Sequence, residues 1–349
     1  MFSVRGRTAD EAWRAVVTAV RDAPSQASRG GPTRELLHVA LEIENPEQRW
    51  VLSREPAVNP AFAIAEVLWI LAGRRDAEFL NYWNPLYSRF AGAGPEYHGA
   101  YGHRLRHAFG LDQIERAYRT FDSNPDTRQV VLQIWHPELD FPGEDGQPAA
   151  EDIPCNVCGI LKVRDGTLHW VQVMRSNDVF RGLPHNFVQF TSLQAVLAGW
   201  LGLKVGPYHH WSDSLHAYDA DAAIYSVLSD PPSADTRDRL SLNRPDWQST
   251  FPRVVAIADR FVSGDLTRAE VEHAIAGARG LEPWQPYISL LAADTSRRRG
   301  WIDLMAASLN SCPDQALRNL GERWVSSAHY RVHVTPSARS SPRETLGSP

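Results

Sequence analysis

The sequence predicts an α+β fold on three observations. Its middle consists of strand-forming segments joined by a tight hairpin, helix-forming segments lie before and after them, and no internal repeat is present. With 349 residues, 43% of them hydrophobic and 22% charged, the chain can bury one large core. That size allows one big domain or two smaller ones; a single domain over 1–334 is the expectation, with a disordered tail at 335–349 that is rich in Ser, Pro and Arg.

The elements follow in order. Thr8 with Glu11 forms a capping-box pattern ahead of Trp13, Val16, Val17 and Val20 on one helical face, so a first helix is expected over 9–22. Residues 23–33, with Arg21, Arg29 and Arg34 in or beside them, read as a surface loop, either an anion clamp or a solvated connector. Asn59-Pro60 opens an apolar helix over 61–72 in which Glu66 is the lone charge, and Gly73 ends it. A carboxylate in that setting must be paired, hydrated or functional.

Residues 129–135 are β-branched and apolar, and 158–163 and 167–174 flank the hairpin signal Asp165-Gly166. Between them 136–154 is acidic and rich in Pro and Gly, the composition of a surface loop insertion. A long apolar helix is expected over 187–201, and further helices over 252–263, 267–278 and 284–297.

Charge and composition exclude several classes. A net charge of -5 from 36 basic and 41 acidic residues does not suit polymeric nucleic acid, so any phosphate bound belongs to a small ligand. Three cysteines are too few for a disulfide framework. The start carries no apolar signal segment, and no apolar stretch reaches the roughly 20 residues that span a bilayer, so a soluble cytoplasmic protein without a membrane partner is expected.

The chemistry concentrates in two motifs. Ile153-Pro154-Cys155-Asn156-Val157-Cys158 stands twenty residues ahead of Arg175-Ser176-Asn177-Asp178, which leads through Gly182, Pro184 and His185 to Asn186. A potential thiolate thus lies near a strand-to-helix turn bearing guanidinium, hydroxyl, carboxylate and amide groups. Arginine suits phosphate because its planar fork makes two charge-assisted bonds at once. The C-x-x-C lacks further ligands at zinc spacing and leads into a hairpin, so neither a metal site nor a redox pair is expected. Asn186 is either an N-cap or a reader of a pyrimidine edge, and His216 and Tyr218, two apart, point the same way if extended.

Taken together these residues resemble the thymidylate synthase family, including its pyrimidine nucleotide hydroxymethylases. The match covers most of 29–220: P-C, then R-S-x-D-V-F-x-G-L-P-x-N, then a V-G segment leading to H-x-Y. The resemblance implies a three-layer fold whose large mixed sheet lies at a homodimer interface, with shared active sites and 5,10-methylenetetrahydrofolate as cofactor. It implies Cys155 as nucleophile, Glu66 organising proton transfer and Tyr101 assisting. Arg29, Arg175 and Ser176, with Arg128 from the neighbouring subunit, would hold the phosphate of a pyrimidine nucleoside monophosphate. Asn186 would face the base, His216 and Tyr218 the sugar, and Asp178, Gly182 and His185 the folate. Arginines near Cys155 are expected to lower its thiol pKa.

The chain departs from the family at telling places. Thymidylate synthases shield the reactive methylene with a tryptophan whose place, counted from Glu66, falls at Ser88, with Trp83 nearby. A small polar residue there admits water and implies hydroxymethylation, on dUMP because Asn186 stands where cytosine-specific relatives carry aspartate. Thymidylate synthesis, a dCMP or CMP hydroxymethylase and a non-catalytic nucleotide-binding homologue are the alternatives. His185 stands where the family usually has an aromatic residue, and Gln129 replaces the second arginine of a pair.

Overall fold

The computed structural model describes residues 1–28, 30–230 and 235–333, with side chains as far as Ser327. Its centre is a seven-stranded mixed sheet. Phe2–Gly6 runs parallel to Thr33–Ile43, which is antiparallel to Lys204–Tyr218. Lys204–Tyr218 runs parallel to Thr167–Asp178, and the antiparallel neighbours Asn156–Arg164 and Val131–Gln133 complete the order to the far edge. Ser25–Gln26 adds a short antiparallel pairing to the start of Thr33–Ile43. Helices cover one face of this sheet, the α+β arrangement expected.

Alternation along the strands decides which face is covered. Val39, Leu41, Leu161, Val163, Leu168, Trp170, Tyr208 and Leu215 are buried against the helices. Helix Ala9–Arg21 adds Trp13, Val16, Val17 and Val20, and each fully buried valine contributes roughly 1.5–3 kcal/mol. Its Thr8 hydroxyl accepts the Glu11 amide as the sequence suggests, but the Glu11 carboxylate reaches the Arg7 amide instead of closing the box on Thr8.

Two further helices form the middle of the core. Pro60–Leu71 is buried at every residue, capped by the Asn59 side chain accepting from the Phe62 amide and ended by Gly73 at φ 71. The Gly73 and Arg74 amides return to the carbonyls of Ile70 and Trp69, the paired bonds of a left-handed glycine cap. The central helix Leu183–Trp200 starts four residues earlier than 187, because Pro184 fits its first turn. Helix Arg244–Val262 likewise starts before 252, capped by Asn243, and continues through Pro252. No helix among the described residues is long and apolar enough to cross a membrane. The expected tail at 335–349 lies outside the described residues.

The loop 136–154 is irregular apart from the short helix Pro137–Asp140, yet it is anchored at both ends. Asp140 is buried and accepts from Arg104 at 2.8 Å and lies 2.7 Å from His98 Nε2. Asp152 accepts the Gly99 amide at 2.8 Å.

A buried polar knot ties the segment before Asn59 to the C-terminal helices. Asp238 Oδ2 accepts from Arg49 Nη1 at 2.8 Å, Trp50 Nε1 at 2.8 Å and the Tyr287 hydroxyl at 2.9 Å, and neither Arg49 nor Asp238 exposes its side chain. Asp238→Ala would strand the buried guanidinium, and a loss of roughly 3–5 kcal/mol is expected by urea denaturation. A loss below about 1 kcal/mol would show that the knot is a passive feature of the packing.

Candidate active site

The hairpin turn sets the site's register. Asp165 and Gly166 both take positive φ, the geometry of a two-residue turn matched to strand twist, and the ladder then pairs Arg164 with Thr167 through to Cys158 with Val173. Beyond Cys158 the first strand carries one extra residue, Val157, so that Asn156 faces Met174. The Val157 carbonyl accepts both the Ile134 and Trp135 amides, and the Cys155 carbonyl accepts the Arg175 amide at 2.9 Å.

The register brings Arg175 onto the loop that carries Cys155. Its Nε donates to the Pro154 carbonyl and its Nη2 to the Ile153 carbonyl, both at 3.0 Å, and Nη2 lies 4.0 Å from Cys155 Sγ. Burial nevertheless pushes the Cys155 thiol up, Arg175 opposes it, and the Asp152 charge adds to the rise. The expectation that arginines lower this thiol is therefore corrected: Arg175 acts in that sense, but desolvation outweighs it.

Glu66 occupies the middle of its buried helix and is 6% exposed. Its Oε2 and His185 Nδ1 lie 2.9 Å apart but off the axis of a hydrogen bond, so both atoms remain unsatisfied. The His185 ring stands edge-on to Phe62 at 5.1 Å. Tyr101 opens helix Tyr101–Arg106, and Gly102 beside it permits a close approach: an added Cβ would lie 2.4 Å from the Ile70 carbonyl oxygen. Burial first, and then charge on Cys155, holds the Tyr101 hydroxyl protonated, with Asn156 acting in the opposite sense.

At the place counted for the tryptophan shield, Ser88 begins the short helix Ser88–Ala91. The side chain of this segment that lines the hollow over Glu66 is Tyr87, packed against Phe62 at 5.4 Å and Tyr97 at 5.2 Å. Trp83 is fully buried against Phe79 and Tyr82. Sequence reasoning missed Tyr87, and it also missed Asp152, Tyr97 and Gln189, which line the same cavity with Glu66 and Tyr101. The nearest available signal was a carboxylate three residues before Cys155, absorbed into the acidic loop.

The strand-to-helix junction is built around Asp178. Its Oδ1 accepts the Phe180 and Arg181 amides at 2.8 and 2.7 Å, while its buried Oδ2 has no partner and burial raises its pKa. Gly182 precedes the central helix, where a Cβ would lie 2.7 Å from Asn177 Oδ1. Asn186 is inside the first turn, its amide bonded to the Gly182 carbonyl, so the N-cap alternative is ruled out. Its Nδ2 donates to Gln189 Oε1 at 3.1 Å and its buried Oδ1 is free.

Ser176 pairs in register with Ser214 on the neighbouring strand. His216 and Tyr218 share a strand face, with ring centroids 5.4 Å apart. Arg29 lies outside the described residues, although Gly30 next to it packs on the Tyr218 ring. Arg128 and Gln129 are exposed before the edge strand Val131–Gln133, and no contact among the described residues joins Arg128 to Arg175 or Ser176 within the protomer.

Comparison with known proteins fits this geometry. A family model described as thymidylate synthase matches residues 14–252. A deoxyuridylate hydroxymethyltransferase of Bacillus phage SP01 is 34% identical over 333 residues, covering 85% of this chain and 86% of that protein. A second protein of that name, from Pseudomonas phage M6, is 34% identical over 206 residues, 58% of this chain and 57% of its own. A thymidylate synthase of Symbiobacterium thermophilum is 32% identical over 233 residues, 60% of this chain and 73% of its own.

The raised thiol gives a pH prediction. Protonation disfavours the nucleophile, so alkylation of Cys155 by iodoacetamide in the free protein should still accelerate with pH beyond about 8.5, the ordinary thiol value. Arg175→Gln removes the influence that lowers the pKa and should slow the reaction several-fold near neutrality. A plateau below about pH 8, or faster alkylation in R175Q, would contradict this electrostatic balance.

Proposed function

This chain belongs to the thymidylate synthase family, and from that premise we propose that it is a C5 hydroxymethylase of a pyrimidine nucleoside monophosphate, with dUMP the first substrate. The observation that carries the reading is the polar lining over Glu66. Where reductive methylation needs an apolar shield, this chain sets Tyr87 and Asp152 in the lining beside the apolar Trp69, Ile70 and Leu80. Likeness over 85% of the chain to a protein named deoxyuridylate hydroxymethyltransferase supports the same product and base.

Residue roles follow from chemistry and position. Arg175 and Ser176, with Arg29 and the partner subunit's Arg128, hold the phosphate by charge-assisted bonds. Asn186 offers its free Oδ1 to the base, and His216 and Tyr218 bond the sugar. Methylenetetrahydrofolate fits beside Asp178, whose partnerless Oδ2 suits the N–H groups of a pterin, next to Gly182 and His185. When bound, it supplies a one-carbon unit at the formaldehyde level.

Cys155 supplies the activation. Its thiolate bonds to C6, and the electron pair of the C5–C6 double bond becomes an enolate with nucleophilic character at C5. Glu66, with Tyr101 nearby, stabilises the charge that develops and moves protons at O4 and C5 from a site of low dielectric. Once C5 carries the one-carbon unit and loses its proton, the bond from that carbon to tetrahydrofolate breaks, its electron pair leaving with the nitrogen, and the ring holds an exocyclic methylene that water completes.

We read residues 1–334 as one catalytic unit, supported by a single continuous core through the described residues. The uncovered sheet face supports homodimerisation. It carries half-exposed Ala40, Val171 and Trp211 around a hollow of about 350 Å³, and Arg128 projects at the same sheet's edge. The nucleotide and folate pools are intracellular, which supports a cytoplasmic location.

Incubation with dUMP, dCMP, UMP or CMP plus methylenetetrahydrofolate should give hydroxymethyl product from dUMP foremost. Methyl product with dihydrofolate would establish thymidylate synthesis instead, and preference for a cytosine substrate would overturn the base assignment. Cys155→Ser should abolish turnover and retain nucleotide binding; full activity would remove the covalent mechanism. Separately, mixing the weakened Arg128→Ala chain with C155S should regain activity, because one site of the mixed dimer is complete. No recovery on subunit exchange would sink the shared-site arrangement.

A further inference from the structure

Beside Glu66 lies a cavity of about 20 Å³, room for about one water. Its polar walls come from four separate stretches of chain: Glu66 and Gln189 from helices, Tyr87, Tyr97 and Tyr101 from 87–101, and Asp152 from the loop that delivers Cys155. An empty apolar void needs no such lining, and a cavity with several convergent polar groups is built for water. The second observation is the Glu66 carboxylate itself, deeply buried, whose Oε2 lies 2.9 Å from His185 Nδ1 without forming a hydrogen bond.

Asp152 is set there by local structure. The Gly99 amide donates to its Oδ2 at 2.8 Å, and an added Cβ at Gly99 would lie 3.1 Å from both carboxylate oxygens. Burial lifts its pKa above the usual carboxylate value, against the Gly99 bond and the charges of His98 and Arg104. Burial, then the charges of Glu66 and Asp152, keeps the Tyr87 hydroxyl protonated and able to donate. Asp152 stands three residues before Cys155 in the same loop, and its charge adds to the rise of that thiol's pKa.

We propose that this cavity seats the nucleophilic water, with Asp152 as the base that takes its proton and the Tyr87 hydroxyl fixing its position. The proposal rests on the hydroxymethylase reading and names the residues that complete it. The water oxygen bonds to the exocyclic carbon while one proton passes to the Asp152 carboxylate and the methylene electron pair moves through C5 to O4 as an enolate. The enolate re-forms the C4 carbonyl and the C5–C6 double bond, and the Cys155 sulfur leaves C6 as thiolate, free to take the proton from Asp152.

The test separates water addition from the earlier steps. Under single-turnover conditions with C5-tritiated dUMP and methylenetetrahydrofolate, the wild-type chain should release tritium and form hydroxymethyl product in step. In Asp152→Asn, whose amide oxygen can still accept from Gly99, tritium release should stay within about threefold while product formation slows at least about tenfold. Added 2-mercaptoethanol should then trap the waiting methylene as a thioether. Tyr87→Phe should show the same split to a smaller degree.

If product keeps pace with tritium release in both variants, whether at normal or reduced rate, the water-site assignment falls and the hydroxymethylase reading stands. If the wild-type chain makes methyl product, that reading falls and takes this assignment with it.

Discussion

One extra residue in one strand governs the site. The Asp165-Gly166 turn launches a ladder that pairs Cys158 with Val173, and continuing that register would set Cys155 opposite Ser176. Val157 intervenes, held by two amides on its single carbonyl, and the Cys155 carbonyl meets the Arg175 amide instead. Because side chains alternate along a strand, a one-residue shift re-aims every group beyond it. The Arg175 guanidinium consequently folds over Ile153 and Pro154 next to the sulfur.

That arrangement also explains why the thiol is not activated in isolation. Arg175 divides its donors between two backbone carbonyls and a distant contact to Sγ, while the loop around Cys155 is desolvated. A thiol kept protonated until the nucleotide organises the site is protected from adventitious oxidation, since the thiolate is the reactive form. Asp178 shows the same economy. One oxygen is consumed in holding the turn before the central helix, and the other is buried and vacant for a ligand donor.

What could be read from the sequence was whatever depended on local chemistry. Asn59-Pro60 and Gly73 delimit the Glu66 helix because capping and left-handed termination are local events, and Asp165-Gly166 specifies its hairpin for the same reason. The bulge at Val157 leaves no such mark, since it arises from pairing with residues twenty positions away and with the edge strand. Asn186 has cap-forming chemistry, but Pro184 moved the helix start upstream and left the amide in the first turn. Tyr87 and Asp152 lie in irregular stretches without periodicity, and only folding shows that they meet. The ungapped count to Ser88 was one residue from the side chain that lines the cavity.

The C-terminal helices bear on this chemistry from outside the family match, which ends at residue 252. Helix Gln285–Arg298 packs on the Glu66 helix, which also packs on the central helix. Its Arg298 donates to the Trp83 carbonyl at 2.6 Å, the same oxygen that receives the Asn59 side chain capping the Glu66 helix. The Arg323 guanidinium from the last helix bonds the carbonyls of Leu52 and Arg54 just upstream. A helix with no polar face needs such cover on every side, because its stability comes from packing more than from propensity. Under this cover Glu66 is almost wholly buried, and in that low dielectric a carboxylate acts on a developing charge more strongly than it would in solvent. The segment that looks accessory by family likeness thus sets the electrostatic environment in which Glu66 and the cavity water would work.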